Sequence, residues 1–273
     1  MATEEVVFTS FNKAMAIVPK ITGFISLCSS TFLVQHVFRN KKRRNLTYHK
    51  LLGFMSISDI FGSLMCVLST WPIPRNSGTY GAIGTVATCE AAGFFNQSAA
   101  LATPTFNVSL AIYYILVIVY GWKERRVHTI EGYLIAVPFI LGISTGIAGL
   151  FLNLFNGAGW ICWIAPGGEA YPERTNPDYG IYRLAFLYAD AWVIIVILAI
   201  SMIIIYAKTL KTEKGNDKWR SSAGQDNKRN HSIKIRNQAF LYVGCMYMTW
   251  CFGTVSSSFV VGYFGNTMNS RSL

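Results

Sequence analysis

The sequence predicts an all-α membrane protein, a polytopic helical bundle with its amino terminus outside. Composition is the first reason. Hydrophobic residues make up 52% of the 273-residue chain and charged residues only 14%, where a soluble domain carries about 25% charged. Second, six stretches are apolar over the roughly 20 residues that a helix needs to cross the hydrocarbon core. Third, most basic residues fall in three polar breaks between those stretches. Disorder, coiled coil and collagen-like structure are excluded by the same composition.

The six spans are expected at about 17–38, 51–71, 89–120, 133–155, 182–207 and 238–264. The third and sixth are the clearest, with no charged residue over 91–122 or 237–270. Period-two alternation is absent, which argues against a membrane barrel. Residues 1–16 form an amino-terminal segment ahead of the bundle (17–264), and 265–273 a short carboxyl-terminal segment. The first residues include Glu4 and Glu5 and lack the positive flank of a cleavable signal. The first span is therefore expected to act as its own uncleaved insertion signal.

Charge placement sets orientation. The formal net charge is +11, which in a soluble protein would raise the question of nucleic acid. A nucleic-acid binder gathers its cations on one folded face, whereas here they punctuate the spans. Arg39, Lys41, Lys42, Arg43, Arg44 and Lys50 lie in the first break. Lys123, Arg125 and Arg126 follow the third span. The loop 208–236 carries Lys208, Lys211, Lys214, Lys218, Arg220, Lys228, Arg229, Lys234 and Arg236. The loops after the second and fourth spans hold little beyond Arg75 and Arg174. By the positive-inside rule the three basic loops face the cytoplasm, so both chain ends are expected outside.

Of six cysteines, Cys28, Cys66, Cys245 and Cys251 lie inside spans, where a thiol behaves as a small apolar group. Cys89 opens the third span at its outer end, and Cys162 lies in the outer loop between spans four and five. Both face the oxidising side, where disulfides persist. A Cys89–Cys162 bridge would tie that loop across the bundle mouth; the alternative is two unrelated thiols.

This combination resembles a G-protein-coupled receptor. The segment Gly159-Trp160-Ile161-Cys162-Trp163-Ile164, followed by Tyr182-Arg183 at the start of span five, is similar to the pattern of the cyclic-AMP receptor-like family, which is related to the secretin/adhesion class. Leu110-Ala111-Ile112-Tyr113-Tyr114 of span three, Pro138 of span four and Asp59 of span two also sit where that family has similar residues. The resemblance covers about 18–264 and implies six spans of a seven-transmembrane receptor fold. The seventh span of that fold is not in the sequence, and the D-R-Y motif of rhodopsin-like receptors is replaced by Tyr120-Gly121-Trp122-Lys123-Glu124-Arg125-Arg126.

Ionisable groups inside a span are costly and usually face the bundle interior. Asp59 is a candidate intramembrane switch, through an ion or a helix–helix hydrogen bond, or else a structural acid. Asp190 and Arg183 in span five are seven positions apart, hence on one face of a straight helix. They are ligand-pocket candidates, along with Asn96, Gln97, Glu90 and the motif's Trp163. Against this, Arg183 alone can snorkel, and amides such as Asn96 and Gln97 also serve as helix–helix glue worth about 0.6 kcal/mol. Gly142, Gly146 and Gly149 read as packing positions, and Pro104 and Pro138 as helix kinks. Arg43, Arg44, Lys123, Arg125, Arg126, Lys208, Lys211, Lys234 and Arg236 are expected to face a G protein, anionic lipid, or both.

The function expected from the resemblance is reception of an extracellular ligand at the plasma membrane, relayed by a heterotrimeric G protein through a shift between two bundle packings. The alternative is a six-span transporter or channel. It lacks support in an internal repeat, a matched pair of broken spans or a filter-like loop. An enzyme is not expected, and neither a cofactor nor a metal, because His36, His49, His128 and His231 are scattered. The sequons at Asn45 and Asn230 fall on the cytoplasmic side, where no glycan is added.

Overall fold

The computed structural model describes residues 2–168, 171–217 and 244. The sixth expected span, Cys245, Cys251 and the basic positions from Lys218 to Arg236, Lys234 among them, lie outside the described residues. So do the side chains of Lys42, Arg43 and Lys214.

Among the described residues five helices are long and apolar enough to cross a membrane. Helix α1 is Ala2–Arg39, α2 Thr47–Leu68, α3 Val86–Tyr114, α4 Glu131–Phe151 and α5 Ala189–Asp217. The expected amino-terminal segment is thus helical from its second residue. The other bounds are set by local chemistry. Ser69 takes a left-handed φ of 48° and closes α2 by donating its N–H to the Met65 carbonyl, three residues before the expected end. Helix α3 starts at a reciprocal cap, in which Thr88 N–H donates to Thr85 Oγ1 and Thr85 N–H to Thr88 Oγ1. That is a capping box built from two threonines. Helix α4 stops at Phe151 instead of residue 155. Asn153, at φ 51°, turns the chain as only a short polar residue does readily, and the last residues of the expected span become a strand. Helix α3 runs on through a π turn, Ile115–Val119. Another π turn, Leu184–Tyr188, joins the short helix Tyr179–Arg183 to α5.

The chain divides into two compact units. The first comprises Met1–Tyr113 with Trp122–Asp190. In it α1 lies along α2. A side chain at Gly23 would meet Cys66 Cβ at 2.8 Å, and Ser63 donates to Ser26 across the seam. Lys20, inside the α1 span, donates to the Leu68 carbonyl at 2.8 Å and lies 4.1 Å from the Trp71 ring centre. The ammonium thereby meets the negative end of α2. Toward the basic loops, Leu51, Leu52, Met55, Phe106, Leu110 and Leu134 form the core of α2, α3 and α4. Toward the other end, Met65, Ile73, Cys89, Ala92, Ile161 and Cys162 form a second core.

Glycines set the approach of α4 to α3. A Cβ on Gly142 would stand 2.4 Å from the Ser98 carbonyl oxygen, and one on Gly146 2.5 Å from Ser98 Oγ. The Phe155 ring fills the space between Gly93 and Gly149, whose Cβ positions fall 2.6 and 2.3 Å from it. Small residues permit this closeness, and dispersion rewards it in lipid. Gly142→Ala is therefore expected to cost about 1–3 kcal/mol as an overpacking change, because the obstacle is backbone. Gly132→Ala, where a Cβ meets nothing within 4 Å, is expected to be neutral. Thermal unfolding of the two variants in detergent checks the contrast.

The second unit comprises Tyr114–Gly121 and the chain from Ala191. Along α5 the buried positions are Ala191, Ile194, Ile195, Leu198, Ser201, Met202, Ile205 and Thr209, the three-and-four spacing of one helical stripe. Lys208 and Lys211 are exposed.

Candidate functional site

At the end opposite the basic loops, strands β1 (Phe155–Gly157) and β2 (Cys162–Ile164) form an antiparallel hairpin. Its turn is closed by the Ala158 N–H on the Ile161 carbonyl, with Gly159 left-handed at φ 78°. Cys162 is disulfide-bonded to Cys89 at the start of α3, with a Cα–Cα distance of 5.3 Å. The expected bridge is present, and it fixes β2 across the end of α3.

From there Trp163 reaches into the unit. Its indole N–H donates to Gln97 Oε1 at 2.7 Å, and Gln97 Nε2 donates to the Phe186 carbonyl at 2.8 Å. Gln97 is fully buried, at 0% exposure. One amide thus clips the hairpin, α3 and the π turn before α5. The Arg183 guanidinium stands over Trp163 at 5.6 Å and over Tyr188 at 5.9 Å, within cation–π range. Glu90 is ion-paired to Arg174 at 2.5 Å, and Arg174 Nε also donates to Asn156 Oδ1. Asn96 and Asp190 are half-buried.

The sequence placed Arg183 and Asp190 on one helical face. The π turn Leu184–Tyr188 lies between them and inserts an extra residue per turn. Seven positions across such a turn no longer complete two α-helical turns, so the spacing alone does not put Asp190 on the Arg183 face. A π turn leaves no signature in the hydrophobic pattern.

A cavity of about 290 Å³ opens at this end between the hairpin and the loop after α2, lined among others by Asn76, Thr79, Cys89, Asn156 and Tyr171. Of the pocket candidates named from sequence, none lines it. Gln97, Glu90 and Trp163 hold the frame beside it.

Midway along α2, Asp59 Oδ1 accepts a hydrogen bond from Thr103 Oγ1 of α3 at 2.8 Å. Ser58 Oγ lies 3.3 Å from the same hydroxyl. The intramembrane acid is thus a helix–helix contact.

The basic end holds a network that sequence reasoning missed. Glu131, 9% exposed, takes Lys50 Nζ on one oxygen at 2.5 Å, and Thr47 Oγ1 and His128 Nδ1 on the other, each at 2.8 Å. Glu124 accepts the Thr47 N–H and the Tyr113 hydroxyl. His128 Nε2 lies 3.2 Å from the Asn45 carbonyl. The first and second basic loops are therefore stitched through two carboxylates turned inward. Outside them Arg44, Lys123, Arg125 and Arg126 are exposed, with Arg126 over the Trp122 ring at 4.2 Å. The available signal was the isolation of Glu124 and Glu131 among basic neighbours. Among the described residues no group of three or more His, Cys, Asp or Glu side chains is placed to hold a metal.

No protein-family model matches the chain, and no curated protein matches it. Among solved structures it is similar to squid rhodopsin, with a TM-score of 0.65 at 14% sequence identity, over 89% of this chain and 70% of that one. At that identity the similarity is one of fold. The chain is a multi-pass helical membrane bundle with a fold similar to that of squid rhodopsin.

Proposed function

We propose that the protein is a G-protein-coupled receptor of the plasma membrane, with its amino terminus and hairpin outside and its basic loops facing the cytoplasm. An extracellular ligand at the hairpin end shifts the bundle between two packings, and the basic loops report the shift to a heterotrimeric G protein. One observation carries this reading: the buried Gln97 side chain joins the hairpin, α3 and the turn before α5. A ligand that moves Trp163 thereby acts on both helices, which is the differential contact a two-state relay needs. Asp190, Arg183 and Asn96 remain the candidates for touching the ligand; Glu90, Gln97 and Trp163 position them. Asp59, held by Thr103, is the candidate switch between α2 and α3.

The exposed cations suit an acidic protein face, and those close to the span ends suit anionic lipid headgroups, at about 1 kcal/mol each. Kinship with cyclic-AMP receptor-like proteins is proposed on the hairpin motif and Tyr182-Arg183, and it names no ligand.

Two measurements test the proposal. Membrane-impermeant thiol labelling of intact cells is expected to reach Thr79→Cys and not Lys228→Cys; the reverse pattern overturns it. Vesicles carrying the chain are expected to accelerate nucleotide exchange on a heterotrimeric G protein relative to empty vesicles. Solute flux without any exchange response would support the transporter reading instead.

A further inference from the structure

His128 has a hydrogen-bond acceptor at each ring nitrogen: Glu131 Oε2 at 2.8 Å from Nδ1, and the Asn45 carbonyl oxygen at 3.2 Å from Nε2. A neutral imidazole has one N–H and one lone pair, whereas the imidazolium donates from both nitrogens. The neutral ring keeps its proton toward the carboxylate, where the bond is charge-assisted and stronger, and turns a lone pair on the Asn45 oxygen. Two acceptors then oppose each other across the contact between the loops.

We propose that His128 is a proton-controlled clasp: protonation ties the first basic loop at Asn45 to the start of α4, and deprotonation releases it. The groups around the ring fit this assignment. On α4, Glu131 supplies the charge. On α2, Lys50 occupies the other oxygen of Glu131 and so does not compete for Oε2. On its own segment, Glu124 is committed to Thr47 and Tyr113, and Arg125 and Arg126 are exposed. Beside Asn45, Arg44 is also exposed, and His49 is the other imidazole of that stretch. Glu124 holds Thr47 whatever the state of His128, so release is confined to the segment just ahead of α2.

Imidazole is the side chain whose ordinary charge change falls between pH 5 and 8. On the cytoplasmic orientation proposed above, the clasp makes the basic face responsive to intracellular acidification. That consequence rests on the receptor reading; the clasp itself does not.

The test is hydrogen exchange of the Asn45 and Leu46 amides in the full chain in lipid, corrected for the intrinsic pH dependence of exchange, with the Thr47 amide, held by Glu124 in either state, as the internal control. Exchange is expected to be about threefold slower near pH 6 than near pH 7.5, the scale of a half-exposed ion pair. His128→Gln is expected to abolish the difference, His128→Arg to give slow exchange at both values, and His49→Gln to leave it intact. A flat wild-type profile, or a difference that survives in His128→Gln, overturns the proposal. Should His128→Gln not fold, the wild-type and His128→Arg profiles decide. The readout involves no G protein, so its failure is separable from failure of the receptor reading.

Discussion

Cys162→Ser is expected to lower the thermal midpoint of the detergent-solubilised protein sharply, and Cys89→Ser by the same amount. The bridge joins positions 73 residues apart. In the chain-entropy account, closing a loop of that length removes about 4 kcal/mol of freedom from the unfolded ensemble. Both cysteines are buried, at 1% and 0% exposure, in the core formed by Met65, Ile73 and Ile161, so hairpin packing loosens as well. The double variant is expected to lose no more than either single one, because each substitution removes the same bond. Double-variant losses equal to the sum of the singles would contradict a bridge, as would free thiols at both positions in non-reduced peptides.

The fold class and the disulfide were legible in the sequence because each rests on a strong, local physical requirement. A span needs a long apolar run, and a disulfide needs two thiols on the oxidising side. Helix ends were less legible. Ser69 and Asn153 take positive φ angles that cut α2 and α4 short without a charged residue to mark the end. The candidate site was legible only by residue type. Gln97 stood out as a polar group inside a span, but its partners, the Trp163 indole and the Phe186 carbonyl, come from 66 and 89 residues away. The pairing of Arg183 with Asp190 assumed an unbroken α-helix, and the π turn Leu184–Tyr188 between them was not legible in the sequence. The stitching of the basic loops escaped notice because a positive-inside reading counts Lys and Arg and passes over the two acids that organise them.

Gln97→Met is expected to cost about 3 kcal/mol, although it keeps the side chain's length and fits an apolar bundle. The loss comes from the partners left behind. The Trp163 indole N–H and the Phe186 carbonyl would each lose a part-buried hydrogen bond, at about 1–2 kcal/mol apiece. Phe186 lies within the π turn Leu184–Tyr188, and the Gln97 amide donates to its carbonyl there. Gln97→Glu separates the two halves of the clip. A carboxylate still accepts from Trp163 but cannot donate to Phe186, so at neutral pH it retains the hairpin contact and loses the helix contact. In a Trp163→Phe background the indole N–H is gone, and the cost of Gln97→Met is expected to fall by about 1 kcal/mol or more. A coupling near zero in that double-mutant cycle would show that the hairpin and α3 are not joined through this amide. The relay proposed from the outer hairpin to the helices would then lose the contact on which it depends.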